Sequence, residues 1–200
     1  EGIAHPVVIG PQRQIAQQLD ELGYGDDFVT IVDPMDFSQR EAYAEELFQL
    51  RQRKGLTRAE SRELLTHRHF LGPMMVRMGD ADGLIGGLVH KYADTVRPAL
   101  QTIRLDAKAR LVAGTYMMVF KSELMFFADP VINIDPSAQE LAEIALCTAE
   151  TARSFDVEPR VAMLSFSNFG SSRHPQADKV RQATKIVQQR APDLVVEGEM

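Results

Sequence analysis

Short apolar runs that favour strands alternate along this chain with longer amphipathic runs that favour helices. The apolar run at 6–9 precedes a segment at 12–22 whose apolar residues recur at helical spacing. A β-branched run at 28–32 follows and predicts a second strand. Alternating strand and helix patterns are typical of α/β proteins, in which a mainly parallel sheet is covered by helices on both faces.

The alternation continues to the end of the chain. The remaining patterns predict helices at 37–53, 57–67, 70–78, 94–103, 135–155 and 176–190, and strands at 161–164 and 194–196. The glycine-flanked segment 82–87 predicts a short strand or a tight turn. Capping boxes, with Thr57 and Glu60 in one helix and Ser137 and Glu140 in another, mark two of the helix starts.

A hairpin is predicted where the β-rich runs 111–120 and 124–128 flank Lys121-Ser122-Glu123. Its strands carry apolar side chains on both faces, whereas a hairpin with one solvent-facing side alternates apolar and polar residues. We therefore expect a second copy of the protein to cover one face, which makes the protein a homo-oligomer. The alternative is that a helix of the same chain covers that face.

Composition excludes several classes of protein. The 200 residues suffice for one substantial domain or parts of two, and the net charge of −6 argues against nucleic-acid binding. No apolar run approaches the roughly 20 residues of a membrane-spanning helix, so no membrane partner is expected. Cys147 is the single cysteine, which favours a reducing, cytoplasmic setting. Because the chain opens at Glu1 with neither an initiator Met nor a signal-peptide pattern, we expect a piece of a longer polypeptide.

A polar loop follows the predicted strand at 161–164 and precedes a helix. Hydroxyls, backbone N–H groups and a helix N-terminus can together hold an anion such as phosphate. A loop that only caps the helix would have the same composition. The candidate ligand-binding residues here are Ser165, Ser167, Asn168, Gly170, Ser171 and Ser172.

Two other segments could contact an anion. The guanidinium of Arg97 could grip a phosphate as a fork, or it could form an ordinary ion pair with Asp94. The glycine-rich segment 80–87 allows close backbone approach, but it matches neither GxGxxG nor a P-loop, and a tight turn explains it better.

Metal and thiol chemistry have weak support. His67 and His69 lie two residues apart, a spacing that fits neither one helix face nor a standard zinc site, so no metal is expected. Cys147 lies among Ala and Leu residues in a predicted helix, where a buried, unreactive thiol is more common than a nucleophile.

Taken together, these segments resemble the phosphate acetyl/butyryltransferase family. The matching segments, in family order, are EGIAHPVVIG (1–10), LRQRKGLT (50–57), MMVRMGDADGLIGG (74–87), ADTVRPALQ (93–101), ADPVINIDPSAQELAEIA (128–145) and EPRVAMLSFSNFGSS (158–172). The resemblance implies a three-layer, isocitrate dehydrogenase-like α/β fold in two subdomains with a cleft. It also implies transfer of an acyl group between phosphate and coenzyme A. The two arginines of the family's LRxxKG and TxRPALQ motifs correspond to Arg51 and Arg97.

Two departures from the family pattern point to one branch. Lys91-Tyr92 replaces a Ser-Thr pair, and Asn168-Phe169 replaces a Thr and its neighbour. The Asn-Phe version is similar to the acetyltransferase-like C-terminal domain of large bacterial NADP-dependent malic enzymes. On this interpretation the chain is a regulatory, oligomerising domain that senses acetyl-CoA or a related acyl-CoA. The parent enzyme would oxidatively decarboxylate malate to pyruvate.

The same resemblance implies what lies outside the chain. The family's first strand would precede Glu1, and its catalytic Ser-Arg-Gly segment would follow Met200. We therefore expect no catalytic residue in 1–200, no bound cofactor and no turnover by this chain alone. NADP and a divalent metal, Mg or Mn, would bind in upstream domains of the malic enzyme. The alternative function is phosphate acetyltransferase, which moves acetyl between coenzyme A and phosphate, and on either interpretation Arg97 and the loop 165–172 should face one cleft.

Overall fold

The computed structural model describes residues 2–25, 28–88, 90–105 and 109–200. Within these residues the chain divides into two compact units, Glu1–Arg104 and Leu105–Met200. Each unit has its own core of buried apolar side chains.

The first unit combines a parallel strand pair with five helices in its described part. Its elements are β1 (Val7–Ile9), α1 (Gln12–Glu21), β2 (Thr30–Val32), α2 (Arg40–Arg51), α3 (Arg58–Leu64), α4 (Arg68–Met78) and α5 (Tyr92–Thr102). β1 pairs with β2 in parallel. Residues of α2 and α4 form the centre of the core, where Tyr43, Leu47 and Met74 are almost completely buried. The apolar spacing in α2 thus serves to pack this helix on α4.

The turn between α2 and α3 follows from local chemistry. A 3-10 turn, Gln52–Lys54, ends at Gly55, whose φ of 92° lies in the left-handed region that glycine adopts without strain. The predicted capping box then starts α3, because Thr57 accepts from the Glu60 backbone N–H and Glu60 accepts from the Thr57 backbone N–H. These two devices fix where α2 ends and where α3 begins.

The second unit contains the hairpin and a second parallel pair. Its elements are β3 (Thr115–Val119), β4 (Leu124–Ala128), α6 (Ala138–Ser154), β5 (Arg160–Met163), α7 (Pro175–Arg190) and β6 (Val195–Gly198). β3 and β4 are antiparallel, whereas β5 and β6 are parallel. α6 and α7 pack closely because small residues, among them Ala142, Ala149 and Ala183, line their buried faces.

The predicted α/β class is confirmed, and the predicted helices and strands are present with bounds that differ by a few residues. Two details differ from the prediction. The segment 83–87 contains no strand, in agreement with a turn. Among the described residues, the strands form three two-stranded sheets, of which two are parallel, instead of one continuous sheet.

The hairpin leaves an apolar outer face open, and Met117 and Val119 on its opposite face are also exposed. Cross-strand register places Tyr116 beside Phe127 and Met118 beside Met125 on this outer face. These four side chains are 41–50% exposed, so no helix in the described part of the chain covers them. On the opposite face Phe126 packs against Phe155, with ring centroids 5.9 Å apart. The prediction of an apolar hairpin face left open by the chain itself is therefore confirmed, but a second copy on that face remains a prediction.

A groove of about 1090 Å³ lies between β4 and β5. Its floor is formed by apolar residues of α6, including Leu141, Ile144 and Ala145, and its walls by the residues of the two strands. In the described part of the chain, β4 pairs only with β3 and β5 only with β6. The groove therefore separates the antiparallel sheet from the parallel one.

Leu47 offers a test of the core of the first unit. Its side chain is completely buried, so Leu47→Ala leaves a cavity and should lower the free energy of unfolding by about 2–5 kcal/mol. Leu22→Ala is the matched control, because Leu22 is 71% exposed and its change should stay within about 0.5 kcal/mol. Urea denaturation measures both, and equal effects would contradict this packing.

Candidate functional site

The predicted site residues fall in both units of the chain. Arg51 and Arg97 belong to the first unit, and the loop 165–172, here called the serine loop, belongs to the second. The expectation that Arg97 and the serine loop face one cleft stays a prediction.

Arg51 is the last residue of α2 and is half-buried. It lines a cavity of about 260 Å³ together with Lys54 and Gln101, and apolar residues complete the walls. Glu60 also lines this cavity, but its carboxylate is engaged by the Thr57 N–H and hydroxyl at 2.8 and 2.7 Å. The cavity therefore combines two cations with one carboxylate whose hydrogen bonds are made to Thr57, so its lining has an excess of one positive charge that could attract an anion.

Arg97 lies on α5, the helix that also contributes Gln101 to this cavity. Its side chain is exposed, and among the described residues it forms no ion pair with Asp94 or with any other carboxylate. Arg58 and Arg77 in the same unit are paired with Glu45 and Glu46 instead. The interpretation of Arg97 as the partner of Asp94 in an ordinary ion pair is thus not supported by the described residues.

Asp80, the first residue of the segment 80–87, has a structural role. The Tyr43 hydroxyl donates a hydrogen bond to the Asp80 carboxylate. Burial, together with this bond and the negative charge of Asp80, raises the pKa of Tyr43 above its ordinary value. The pair joins α2 to the end of α4, in agreement with the interpretation of this segment as a turn.

The serine loop surrounds a carboxylate that belongs to the chain itself. Glu199, which follows β6, is completely buried. Its Oε1 accepts from the Ser167 hydroxyl at 3.0 Å and from the Gly170 N–H at 2.8 Å. Its Oε2 accepts from Arg181 of α7 at 2.8 Å. The Ser167 hydroxyl and the Gly170 N–H, predicted to bind an external anion, thus bind the Glu199 carboxylate of the chain itself.

The other loop serines also have partners within the chain. Ser165 Oγ accepts from the Ser167 N–H at 2.8 Å, and Ser171 Oγ accepts from the Asn168 N–H at 3.1 Å. Ser172 Oγ accepts from the His174 N–H at 3.3 Å. The Asn168 side chain is exposed, and no bond to it is found among the described residues. Ligand contact by these residues stays a prediction, and Asn168 is the one whose side chain is free to make it.

Glu199 and Arg181 are not among the site residues predicted from the sequence. The available signal was the parallel pairing of the last two strands, because residues that follow paired parallel strands emerge at the same sheet edge. Glu199 follows β6 as the serine loop follows β5, so a carboxylate at 199 had to lie beside the loop.

The charge of Glu199 is stabilised by its neighbours. Burial alone raises the pKa of a carboxyl group, but hydrogen bonds from Gly170, Ser167 and Arg181 outweigh that effect and lower the pKa of Glu199. Arg181 also pairs with Asp178 and donates to the Ser172 carbonyl at 3.2 Å. One guanidinium therefore links α7, Glu199 and the end of the serine loop.

Other chemistries receive no support from the described residues. In 2–25, 28–88, 90–105 and 109–200, no three His, Cys, Asp or Glu side chains are placed to bind a metal ion. Burial and the charge of Glu143 raise the pKa of the Cys147 thiol, which disfavours the reactive thiolate. No helix in this part of the chain combines the length and apolarity needed to cross a membrane.

Comparison with known proteins decides the family. The family model described as phosphate acetyl/butaryl transferase matches residues 1–200. This chain belongs to that family. It is 41% identical to phosphate acetyltransferase of Bacillus subtilis over 98% of the chain and 61% of the relative, and 40% identical to phosphate acetyltransferase of a Synechocystis species over 98% of the chain and 29% of the relative.

A solved structure agrees with this assignment. The phosphotransacetylase of Streptococcus pyogenes superposes with a TM-score of 0.89 at 41% identity, covering 100% of this chain and 61% of that one. The predicted phosphotransacetylase fold is thus confirmed. The chain spans between about a third and three-fifths of the length of these relatives.

The assignment to a malic enzyme was wrong. The relatives described above, and that of Escherichia coli, are phosphate acetyltransferases that match nearly the whole chain at about 40% identity, and they give no support to a malic enzyme. The expected oxidoreductase activity, the NADP and divalent-metal sites upstream and the allosteric role all depended on that assignment. The substitutions at Lys91-Tyr92 and Asn168-Phe169 therefore occur within a chain that otherwise matches acetyltransferases.

The Glu199–Arg181 pair predicts a pH dependence. The folded protein lowers the pKa of Glu199, so the pair stabilises the fold above the ordinary carboxyl pKa of about 4.3, and this contribution is lost as pH falls through the lower, folded-state pKa. We expect Glu199→Gln to lower the urea midpoint at pH 7 and to differ less from wild type as the medium becomes acidic. Urea denaturation between neutral and acidic pH measures this, and a pH-independent difference would contradict it.

Proposed function

We propose that this chain is part of a phosphate acetyltransferase, which moves an acetyl group between coenzyme A and phosphate. The observation that carries the proposal is the 40–41% identity to phosphate acetyltransferases over 98% of the chain. Both substrates are anions, and the proposal assigns no resident cofactor to residues 1–200. The single cysteine further supports a reducing, cytoplasmic setting.

Arg51 and Arg97 are the proposed anion-binding groups. A guanidinium presents a planar fork of N–H donors that matches two phosphate oxygens, which an ammonium cannot do. Neither arginine has a carboxylate partner among the described residues, so binding a phosphate group breaks no ion pair. Lys54 and Gln101, beside Arg51 in the cavity, provide further donors.

The proposed chemistry needs positioning and charge neutralisation. In the direction of acetyl-CoA formation, the coenzyme A thiol gives up its proton, its sulfur forms a bond to the acetyl carbon, and the bond from that carbon to the phosphate oxygen breaks. The proton is taken up by the phosphate product. The departing phosphate gains negative charge, which a fixed guanidinium stabilises more in the transition state than in the ground state. Holding the two reactants in contact supplies the remaining acceleration.

Substitution of the two arginines tests this assignment. In the natural polypeptide that carries this chain, Arg51→Ala and Arg97→Ala should each raise the KM for acetyl-CoA or phosphate at least tenfold, equal to about 1.4 kcal/mol of lost binding. Arg53→Ala is the matched control, because Arg53 is an exposed neighbour outside the cavity. Acetyl transfer is followed by formation of acetyl phosphate. Equal KM values in all four proteins would contradict the assignment, and absence of transfer by the wild type would reject the proposed function.

We also propose that the outer face of the hairpin contacts a second copy of the protein. Tyr116, Met118, Met125 and Phe127 form a continuous apolar patch there, and such patches on proteins in water usually mark interfaces. We thus propose that the protein is a homo-oligomer, as predicted from the sequence, but we assign no regulatory role to the contact.

Light scattering at low micromolar concentration tests the interface. The wild-type protein should have at least twice the monomer mass, and Met118→Glu should reduce it because a charge would be buried in the contact. Lys121→Glu, in the turn at the hairpin tip, is the control and should keep the wild-type mass. A monomeric wild type would reject the interface.

A further inference from the structure

Glu199 holds the tip of the serine loop in an unusual conformation. Phe169 has φ 43° and Gly170 has φ 85°, so two consecutive residues lie in the left-handed region. A non-glycine residue pays a steric cost there. The Phe169 N–H donates to the Glu199 backbone carbonyl at 2.8 Å, and the Gly170 N–H donates to the Glu199 carboxylate at 2.8 Å. Glu199 thus provides the partners for both left-handed residues.

The same carboxylate fixes the start and the end of the loop. Ser167, which is buried, donates to Glu199 and also contacts Ser171 Oγ at 3.0 Å. Arg181 donates to Glu199 and to the Ser172 carbonyl, so the end of the loop is tied to the same charge. The buried carboxylate of Glu199 therefore accepts from three groups that anchor the loop, namely the Ser167 hydroxyl, the Gly170 N–H and Arg181.

The hydrogen bonds to Glu199 determine which ligands the serine loop can bind. The Ser167 hydroxyl and the Gly170 N–H, the donors suited to inorganic phosphate, are occupied by Glu199. Among the groups left at the surface are the Asn168 amide and the Phe169 ring, which is 67% exposed, whereas the Phe166 ring lies edge-on to His174. An amide beside an aromatic face suits the mixed polar and apolar surface of coenzyme A, on whose adenine the ring can stack, better than a small anion.

We propose that Glu199 is a positioning residue that holds the serine loop so that Asn168 and Phe169 contact coenzyme A, and that the loop does not bind phosphate. The proposal rests on the acetyltransferase function proposed above. Glu199 touches neither substrate, and it acts through the backbone of the loop.

Glu199→Gln is the principal test in the natural polypeptide that carries this chain. The variant keeps the shape of the side chain but turns an amide N–H₂ group toward the donors of Arg181, so the anchor is lost. We expect the dissociation constant for coenzyme A, measured by calorimetry, and the KM for acetyl-CoA to rise at least tenfold. The KM for phosphate should stay within about twofold and kcat within about threefold, because the reacting groups are not altered.

Two further variants separate positioning from general stability. Glu143→Gln is the matched control: Glu143 is also buried in the second unit and pairs with Arg190 at 2.6 Å, but it lies outside the serine loop. It should destabilise the protein without changing either KM. Ser167→Ala removes one anchor with little loss of volume and should reproduce the coenzyme A effect more weakly.

The outcomes distinguish this proposal from the proposed function. Amide hydrogen exchange should be faster at 165–172 in Glu199→Gln and Ser167→Ala, but not in Glu143→Gln. If the wild type binds coenzyme A but transfers no acetyl group, the proposed function fails while the dissociation constants still decide the role of Glu199. The positioning role is overturned if Glu199→Gln binds coenzyme A as the wild type does, or if both KM values rise equally in this variant. It is also overturned if hydrogen exchange accelerates throughout the second unit, or if the wild type does not bind coenzyme A.

Discussion

The second unit depends on the parallel pairing of two short strands, β5 and β6, which α7 connects along the chain. β5 and β6 pair from Arg160 with Val195 to Met163 with Gly198, so the segments that follow them emerge side by side. Gly198 makes this approach possible: a Cβ there would lie 2.7 Å from the Met163 carbonyl oxygen, and its φ of 154° suits glycine. A residue with a side chain at 198 would push β6 away and withdraw Glu199 from the serine loop.

The elements of both units could be predicted from local sequence because local chemistry fixes them. The Ser137–Glu140 box starts α6, and small residues at helical spacing pack it on α7. The partner of the serine loop could not be found in this way, since Glu199 is 32 residues from Ser167 and is joined to it only by the fold. Moreover, an internal carboxylate and an external phosphate require the same donors, so composition alone does not separate them.

The error about malic enzymes has a physical cause. The malic-enzyme prediction depended on two residue pairs, at 91–92 and 168–169, whereas the rest of the chain matches acetyltransferases. Lys91 is an exposed residue at the start of α5, and Asn168-Phe169 lies at an exposed loop tip whose backbone is held by Glu199. Side chains at such positions can change without disturbing the scaffold, so they vary more than the core does. Identity spread over 98% of the chain is therefore the stronger evidence for relationship.

The distribution of ion pairs matters more for anion binding than the net charge does. Glutamates 41, 45 and 46 of α2 pair with Arg62, Arg58 and Arg77, whereas Arg51 on the same helix has no carboxylate partner among the described residues. The Arg58–Glu45 and Arg62–Glu41 pairs are exposed and add little stability, but each pair neutralises one carboxylate of the helix. With a net charge of −6 on these 200 residues and screening over about 8 Å at physiological salt, the long-range field of this chain does not attract an anionic substrate. Capture must then depend on direct contact with cations at the cavity, such as Arg51, which is why removing that guanidinium should weaken binding while removing a neighbouring surface charge should not.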